Sequence, residues 1–527
     1  MFTNLNRRHF LVAGSGLLLN ACDTQNKTNL TGDFLGANFK DGHQLRNNRP
    51  WPAPTQFKKS NHLILGAGIA GLAACRALDQ QNKDDYYLID LESIPGGNSK
   101  STQIHGIHCP LGAHYLPTPS NEAPELLEFL AQLKLGQYQQ GKWLWDERHL
   151  CHSPQERLYY QNEWHYGLLP PAPPNSYLQQ QYLLFAQLIQ SAMQEHWAIP
   201  SYQASWGQLQ NSLIGLTMRQ YLQQNGITAA ELVWYLNYCC LDEYGAGIDH
   251  VSAWAGVHYF AARHGFTAPG QENASHQDAV LTWPQGNAYL SEAMSSTLKD
   301  RFKGKELILK VNELKNEVEV DTLNIATQVV TRWTCKSCIV ALPVHITQKI
   351  MNQTIGFLSE AAQLTQHSAW LVANLYLPTP LFEKTKVQLS WDNVIYGSNN
   401  LGYVNANHQN LNLPNKQQAN VLTFYQALGP EKNTKQILLE QSWLNCAQQI
   451  LSQLTLAHPD LAQKCTELFI TRYGHAMAVP NRQNLTFLRT VPKVPTTKRI
   501  AFAHSDWAGY SIFEEAFVRG HAAGLMS

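Results

Sequence analysis

The sequence predicts an α/β fold in which a Rossmann-like dinucleotide-binding domain is joined to a lobe of mixed α and β structure. Residues 62–65 form a short apolar run typical of a buried strand, and Gly66, Gly68 and Gly71 follow it at the spacing of a phosphate-binding turn. A second apolar strand ends at Asp90, about 20 residues further on, where an acid binds the ribose of a dinucleotide. These observations together predict a βαβ unit.

Each glycine of the motif has a physical task. Gly66 permits the tight turn, Gly68 lets the backbone approach a pyrophosphate, and Gly71 lets the helix pack against the strand. The helix that begins at Ile69 and Ala70 presents unpaired N–H groups and a positive dipole end to the phosphates. The unit therefore predicts a bound dinucleotide, but NAD and FAD both use it.

Composition excludes some classes of partner. The chain has 527 residues, 44% of them hydrophobic and 15% charged, which is typical of a globular protein with more than one lobe. Thirty-nine basic residues balance thirty-nine acidic ones, so no nucleic-acid partner is expected. Cys335 and Cys338 form a lone Cys-x-x-Cys pair, and no metal site is expected there.

Residues 1–22 are predicted to be an export signal. Arg7 and Arg8 precede an apolar stretch, residues 11–21, that is too short to span a bilayer. The paired arginines resemble a twin-arginine signal, and the sequence that ends at Cys22 resembles a lipobox with an acylated cysteine. A plain apolar N-terminal helix is the alternative.

The resemblance implies export by the twin-arginine machinery, which carries folded proteins that often have their cofactor bound. It also implies a periplasmic lipoprotein anchored to the inner membrane through Cys22. Residues 23–59 are polar and aperiodic, and they predict a tether between the membrane and the folded body.

Residues beyond Asp90 distinguish NAD from FAD. A Gly-Gly pair follows Asp90 within LIDLESIPGGNS, and CPLGAHYLP occupies residues 109–117. This pattern resembles the superfamily of flavin amine oxidases, protoporphyrinogen oxidases and phytoene desaturases, which bind FAD. The resemblance implies that six residues lie along the phosphates, ribityl chain and flavin ring: Gly96, Gly97, Asn98, Gly112, Ala113 and His114. Asn98 departs from the usual arginine, so Lys100 or backbone amides are expected to neutralise the phosphates.

The C-terminal residues resemble the closing segment of the same superfamily, with a strand, an acid-bearing turn and a helix. The resemblance implies that Asp506 binds the ribityl chain or pyrophosphate. It also implies that Ile512 opens the last helix toward the flavin, where the helix dipole stabilises negative charge. Monoamine oxidases place a cage tyrosine where Ile512 stands, so Trp507 and Tyr510 are the candidates to replace it.

The resemblance also divides the chain. Residues 305–320 alternate as strands do and match the hairpin of the nucleotide domain, which implies that Val311 lies against the adenine. The predicted FAD-binding domain is discontinuous and comprises residues 60–118, 278–348 and 470–527. The predicted substrate lobe comprises residues 119–277 and 349–469.

The substrate side has weaker signals. Asp242 and Glu243 lie among aromatic residues, where they receive a cationic amine or, with equal weight, are solvated acids of a core helix pair. Four aromatic residues are pocket candidates, each more often core than contact: Trp391, Tyr396, Tyr403 and Tyr425. His475 is a further candidate, although a lone histidine is more often structural.

The sequence thus favours an FAD-dependent oxidoreductase that oxidises a small amine by hydride transfer to flavin N5, with His114, Trp507 and Tyr510 as candidates for the active-site face. Oxygen or a respiratory carrier is the expected electron acceptor. A desaturase or isomerase of an apolar substrate is the first alternative. A flavin-binding lipoprotein without catalytic activity is the second.

Overall fold

The structure is a computed structural model that describes residues 30–36, 38–47, 50–263, 265–269, 279–383, 387–410 and 418–527. The predicted signal peptide at residues 1–22, with Cys22, lies outside these residues. No helix in the described ranges is both long and apolar enough to cross a membrane.

The first of two large sheets, the dinucleotide sheet, has seven strands. In spatial order they are Phe302–Lys303, Tyr86–Ile89, Gln56–Leu65, Val330–Val340, Val318–Asn324 and Glu306–Glu313, with Ile500–Phe502 also beside Val330–Val340. The hairpin of Glu306–Glu313 and Val318–Asn324 is antiparallel, and so is its pairing with Val330–Val340, whereas the remaining pairs are parallel.

Helices cover both faces of the dinucleotide sheet. Ile64 packs with the helices Ile69–Gln80 and Phe513–Met526, while Leu63 and Leu65 pack on the opposite face. Side chains alternate between the faces of a strand, so a run that is apolar at every position must be buried on both sides. The other helices of this lobe are Pro124–Gln132, Ala288–Ser295, Val344–Ile350, Gly356–Leu364 and Arg482–Leu488.

The second sheet has eight strands. In spatial order they are Phe34–Leu35, Glu467–Val479, Gln366–Leu377, Asn420–Gly429, Tyr403–Asn405, Asp392–Ile395, Glu156–Tyr160 and Glu163–Tyr166. Two-stranded ribbons pair Ser101–Ile104 with Ile107–Pro110, Tyr115–Pro117 with Val280–Thr282, and Gly136–Gln139 with Lys142–Trp145.

Two groups of helices sandwich the second sheet. Trp370 and Val372 face the larger core, and Leu371 and Ala373 face the smaller one. The larger group is Tyr177–Ala192, Gln208–Ile214, Met218–Gln224, Ala230–Tyr244 and Ala253–Ala261. The smaller group is Lys432–Glu440, Trp443–Thr455 and Leu461–Lys464, and the short helix Phe39–Gly42 lies near the N-terminus.

Part of the predicted tether is folded. Thr31 N–H donates to the Thr466 carbonyl at 3.0 Å, and Phe34–Leu35 forms an edge strand of the second sheet. The Arg472 guanidinium lies 3.5 Å from the centre of the Phe34 ring. The tether prediction is therefore wrong for residues 30–36, and also for residues 56–59, which open the first strand of the dinucleotide sheet.

The lobes also meet at boundaries that differ from the predicted ones. The strand Glu467–Val479 belongs entirely to the second sheet, although the prediction divided it at residue 470. The helix Pro124–Gln132 packs against Phe517 in the dinucleotide lobe, although the prediction placed it in the substrate lobe. The resemblance located the cofactor-binding motifs in the sequence. The lobe to which each intervening segment belongs is decided by packing.

Candidate functional site

The glycine motif forms the predicted turn. Gly66 has a φ of +102°, a conformation that favours glycine. A Cβ on Gly71 would lie 1.9 Å from the Gly66 carbonyl oxygen, so only glycine allows the helix to approach the strand so closely. A Cβ on Gly68 would meet no atom within 4 Å, and Gly68 is half-buried between buried neighbours. The turn is therefore closed at its ends and open at its centre.

Two helices begin beside this opening without a capping side chain. Gly68 precedes Ile69–Gln80 and Ile512 precedes Phe513–Met526, and at neither position does an N-cap side chain accept an N–H of the first turn. The helices run parallel, because Gly520 packs on Ala70 and Gly524 packs on Ala74. The C-terminal helix thus begins about 10 Å beyond the start of the other helix, at 1.5 Å per residue. Two sets of unpaired N–H groups face the same direction at different depths.

Gly96 and Gly97 contact the backbone of the glycine motif. Gly96 N–H donates to the Ala67 carbonyl at 2.7 Å, and a Cβ on Gly97 would lie 3.0 Å from Gly68 Cα. Asn98 follows on the surface. Its carbonyl accepts the N–H of Ala113 at 2.9 Å.

These contacts define a cofactor crevice. Its accessible residues are Gly68, Gly97, Asn98, Ala113, His114, Ser511 and Ile512. The crevice brings together residues that the sequence predicted to bind the cofactor at both ends of the chain. Gly112 lies at its floor, where Tyr425 O–H donates to the Gly112 carbonyl at 3.0 Å.

Asp90, the predicted ribose-binding acid, is positioned by backbone amides. Asp90 accepts the N–H of Ala67 at 2.6 Å and the N–H of Glu92 at 2.7 Å. Burial raises the pKa of Asp90, although these two hydrogen bonds favour its ionised form. Each carboxylate oxygen has a second lone pair, so Asp90 can still accept a ribose hydroxyl.

Lys100 does not supply the missing phosphate charge. Its ammonium is buried and lies 3.2 Å from Glu92, which neutralises it. The Asn98 side chain, at the place of the usual arginine, donates to the Ala476 carbonyl at 2.8 Å. Of the two predicted sources, the backbone amides of the helix start remain.

Asp506 is held between two histidines. Its Oδ2 accepts the Val344 N–H at 2.9 Å and lies 2.9 Å from His367 Nε2. Burial alone would raise the pKa of Asp506, but His367 and His504 hold it well below its usual range. Oδ1 lies 3.1 Å from His504 Nδ1, which already accepts the N–H of Asp506, so Oδ1 receives no hydrogen bond from any described residue. Asp506 is completely buried, so this oxygen has no face open to the crevice for the predicted bond to a cofactor hydroxyl.

Three further predicted site residues lie in the core instead of at the crevice. Val311 is completely buried in the core of the dinucleotide sheet, and its carbonyl accepts the Asn352 N–H at 2.8 Å, so it has no face for an adenine. Trp507 packs in the same core against Phe502. Tyr510 is also completely buried, and its hydroxyl donates to Glu515 at 3.0 Å. Neither aromatic residue reaches the crevice, because both turn inward to fill the core.

A cavity of about 290 Å³, the acidic cavity, lies beside His114. Its wall contains five carboxyl groups and one guanidinium, from Glu156, Asp242, Glu243, Asp392, Glu514 and Arg263. Its aromatic wall is formed by Tyr115, Tyr238, Tyr259, Trp391 and Tyr425. Of the predicted pocket residues, Asp242, Glu243, Trp391 and Tyr425 line this cavity.

The other candidates lie elsewhere. Tyr396 packs against Tyr160 and Trp234, and the Tyr403 hydroxyl lies 2.6 Å from His458 Nε2 in the core. His475 is exposed on a different face and lines a second cavity.

The acids of the cavity are unequally paired. Arg263 lies 3.1 Å from Glu243 and 3.3 Å from Glu514, so one cation serves two carboxylates. Asp242 instead accepts the Tyr115 O–H at 3.1 Å, and Asp392 accepts the Tyr238 O–H at 3.4 Å.

Their pKa values follow from this pairing. Burial, with a contribution from Glu243, raises the pKa of Asp242 to about 7. Burial also raises the pKa of Asp392 well above its usual range, with Glu156 and Asp242 adding to the shift. A cation that entered the cavity would lower both pKa values and be bound by the ionised carboxylates.

His114 connects the crevice with the acidic cavity. Its ring centre lies 4.5 Å from that of Tyr425 and 5.2 Å from that of Trp391. Burial lowers the pKa of His114 to about 3, so the imidazole is neutral at physiological pH. A neutral ring can orient a polar group but carries no charge to repel a cation.

Sequence reasoning missed Glu156, Asp392, Glu514 and Arg263. These residues come from three strands or helices and a helix end that lie far apart in the chain. The strand Asp392–Ile395 is buried at its last three positions and shows no alternation that would have marked Asp392. No metal-binding group of histidine, cysteine or acidic residues occurs in the described ranges, and Cys335 and Cys338 are buried free thiols.

The sequence and the fold were compared with those of known proteins. Residues 64–133 match the family model of an NAD(P)-binding Rossmann-like domain. No curated protein sequence matches the chain. Among solved structures, the chain is similar to a double mutant of putrescine oxidase, with 14% identity and a TM-score of 0.66 over 89% of this chain and 99% of that one.

Two further structures are similar. Cyclohexylamine oxidase from Brevibacterium oxydans IH-35A has 14% identity and a TM-score of 0.63 over 89% of this chain and 98% of its own. A CLA-producing fatty acid isomerase from P. acnes has 16% identity and a TM-score of 0.60 over 89% and 97%. The fold is amine-oxidase-like. The predicted fold class, a Rossmann-like FAD-binding domain with a mixed substrate domain, is thereby confirmed.

Proposed function

We propose that this protein is an FAD-dependent oxidoreductase that oxidises a small cationic amine. The observation that carries the proposal is the acidic cavity, which joins five carboxyl groups to an aromatic wall directly beside the crevice residue His114. An ammonium group is attracted by carboxylates and by the faces of aromatic rings. The amine-oxidase-like fold agrees with this chemistry, although the same fold occurs in a fatty acid isomerase.

The crevice fits FAD. The uncapped start of Ile69–Gln80 and the open position at Gly68 would hold the pyrophosphate, and Asp90 would bind the ribose. The uncapped start of Phe513–Met526 would face the flavin ring. The chemistry that FAD supplies when bound is acceptance of a hydride from the carbon next to the amine nitrogen.

The residues of the chain bind and orient the substrate. Asp242 and Asp392 provide negative charge when ionised, and each is already held by a tyrosine hydroxyl. Trp391 and Tyr425 pack against His114 and exclude water from the mouth of the cavity. Arg263 pairs with both Glu243 and Glu514, so one cation is shared between two carboxyl groups of the wall.

The alternative of an apolar substrate is disfavoured by the same wall. A desaturase or isomerase of an apolar molecule would have to bury that molecule against five carboxyl groups, which costs desolvation without a compensating charge. A flavin-binding lipoprotein without catalytic activity is the remaining alternative. It predicts a flavin that no candidate substrate reduces.

The proposal is tested in two steps. Purified protein should be yellow with flavin absorbance, and a colourless folded preparation would contradict FAD binding. The loaded protein is then mixed anaerobically with a panel of mono-, di- and polyamines and, as controls, with fatty acids. Bleaching by amines and not by fatty acids is expected. Bleaching by fatty acids alone would favour a desaturase, and conversion of a fatty acid to its isomer without net bleaching would favour an isomerase. Neither bleaching nor isomerisation would favour the non-catalytic alternative.

Two parts of the proposal concern the cell. Oxygen or a respiratory carrier would accept the electrons, and the rate of reoxidation by oxygen distinguishes the two. From the predicted signal we propose that the protein is exported by the twin-arginine machinery to the periplasm and anchored to the inner membrane through Cys22.

A further inference from the structure

A second cavity, of about 480 Å³, shares no lining residue with the acidic cavity and has the opposite charge. We call it the basic pocket. Its wall includes Lys432 and Lys435 from one helix, and His345, His367 and His475 from three other segments. At about 30 Å³ per molecule, its volume corresponds to roughly 16 waters, so a small organic molecule fits.

Lys435 is a half-buried cation without an anionic partner. No described carboxylate lies within ion-pair distance of its ammonium, and it makes no side-chain hydrogen bond to a described residue. Burial lowers the pKa of Lys435, and Glu431 only partly opposes this. Glu431 itself lies 3.0 Å from His250. A cation that loses water without gaining a partner is stabilised by an incoming anion.

Two histidines add hydrogen-bonding capacity. The rings of His345 and His475 are stacked with centres 4.4 Å apart. His345 Nδ1 is buried and has no hydrogen-bond partner among the described residues. Burial lowers the pKa of His345 to about 2, and partial desolvation lowers the pKa of the exposed His475, so both rings are neutral near pH 7. Each neutral ring has one N–H to donate.

We propose that the basic pocket binds a small molecule through a phosphate or carboxylate group, which pairs with the Lys435 ammonium and accepts N–H groups of the stacked histidines. The pocket holds a cation, several donors and no acidic residue other than Glu431, which His250 engages. This site is independent of the amine proposed for the acidic cavity. His367 lines the pocket and lies 2.9 Å from Asp506, so the pocket borders the turn that precedes the C-terminal helix.

The test is isothermal titration calorimetry with protein loaded with its cofactor, so that the glycine motif is already filled. Inorganic phosphate and succinate are titrated separately at constant ionic strength in a buffer without other polyvalent anions. Saturable binding of either probe at one site per chain is expected, and the probe that binds identifies the anionic group. Binding of neither would overturn the proposal.

Variants locate the site. Lys435→Met should weaken binding at least tenfold, and Lys435→Arg should restore most of it. His475→Ala, at an exposed position that tolerates the change, should also weaken binding. Lys142→Met removes an exposed lysine of a distant ribbon and should leave binding unchanged. Equal affinity of wild type and of both Lys435→Met and His475→Ala would show that the anion binds elsewhere and refute the proposal.

Discussion

Gly68 and Gly71 stand three residues apart in one motif, yet an added Cβ would meet opposite surroundings at the two positions. At Gly71 it would collide with the Gly66 carbonyl, whereas at Gly68 it would project into the open crevice. The backbone at Gly68 has φ −72° and ψ −176°, which any residue adopts. Gly68 therefore leaves space for a ligand, whereas Gly71 is required for the helix to pack against the strand.

Gly68→Val should leave the thermal unfolding midpoint of the cofactor-free protein within about 2 °C and abolish flavin retention, because its side chain fills the crevice. Gly71→Val should lower that midpoint or prevent folding. Flavin absorbance per chain and thermal unfolding measure both effects. Full flavin content in folded Gly68→Val protein would contradict the assignment of the crevice.

Asp242 predicts a pH-dependent affinity for cations. Because its pKa is raised to about 7, ionisation adds negative charge to the cavity as pH rises through 7. The affinity for tetramethylammonium, which does not titrate, should rise roughly tenfold between pH 6 and 8, equivalent to about 1.4 kcal/mol. Titration calorimetry should show that Asp242→Asn loses this rise. Asp249→Asn, which changes an exposed acid, should keep it.

The same shift affects stability with a defined sign. The unfolded chain ionises Asp242 near its usual pKa of 3.8, while the folded protein keeps the proton until about pH 7. The folded state binds more protons between these values, so the contribution of Asp242 to the free energy of unfolding falls as pH rises. Asp242→Asn should remove this part of the fall, as chemical denaturation at pH 5 and pH 8 would measure.

At the scale of elements, the decisive contact is between the helices Ile69–Gln80 and Phe513–Met526. The uncapped N-termini of these two helices lie at the crevice. Glycines allow the close distance between the two helices. A Cβ on Gly520 would lie 1.9 Å from the Ala70 carbonyl oxygen. Two parts of the chain that are more than 400 residues apart are thereby held in register.

Gly520→Ala should destabilise the protein by at least about 2 kcal/mol and weaken flavin retention, because the added methyl forces the helices apart. Gly356→Ala is the matched control, since a Cβ at that helical position would meet no atom within 4 Å. Denaturant unfolding and flavin content should separate the two variants. Equal stability of both would mean that the helix pair tolerates movement and does not set the crevice.

At the scale of the whole molecule, a short segment separates the predicted export signal from the second sheet. Only residues 23–29 separate the predicted acylated Cys22 from the first described residue, and Phe34–Leu35 is already an edge strand. An extended residue spans at most about 3.6 Å, so seven residues reach about 25 Å. The folded body would therefore remain close to the membrane surface.

The full-length protein should sediment with the inner membrane, and Cys22→Ser should move it to the soluble periplasmic fraction. Cys151→Ser, which changes a half-buried free thiol of the folded body, should leave the distribution unchanged. Fractionation with detection of the intact chain measures both. Membrane association of the Cys22→Ser protein would contradict the lipid anchor.

The sequence by itself determined the glycine turn, the position of Asp90 beside it and the close approach of the Gly-Gly pair, because these depend on backbone demands within a few residues. It also indicated Asp242 and Glu243, which are adjacent in the chain. Only the tertiary structure decided that Glu156, Asp392 and Glu514 join them in one cavity, since these acids converge from separate elements. Packing likewise turned Val311, Trp507 and Tyr510 into the core, because side-chain direction follows from contacts between elements and not from position within a motif.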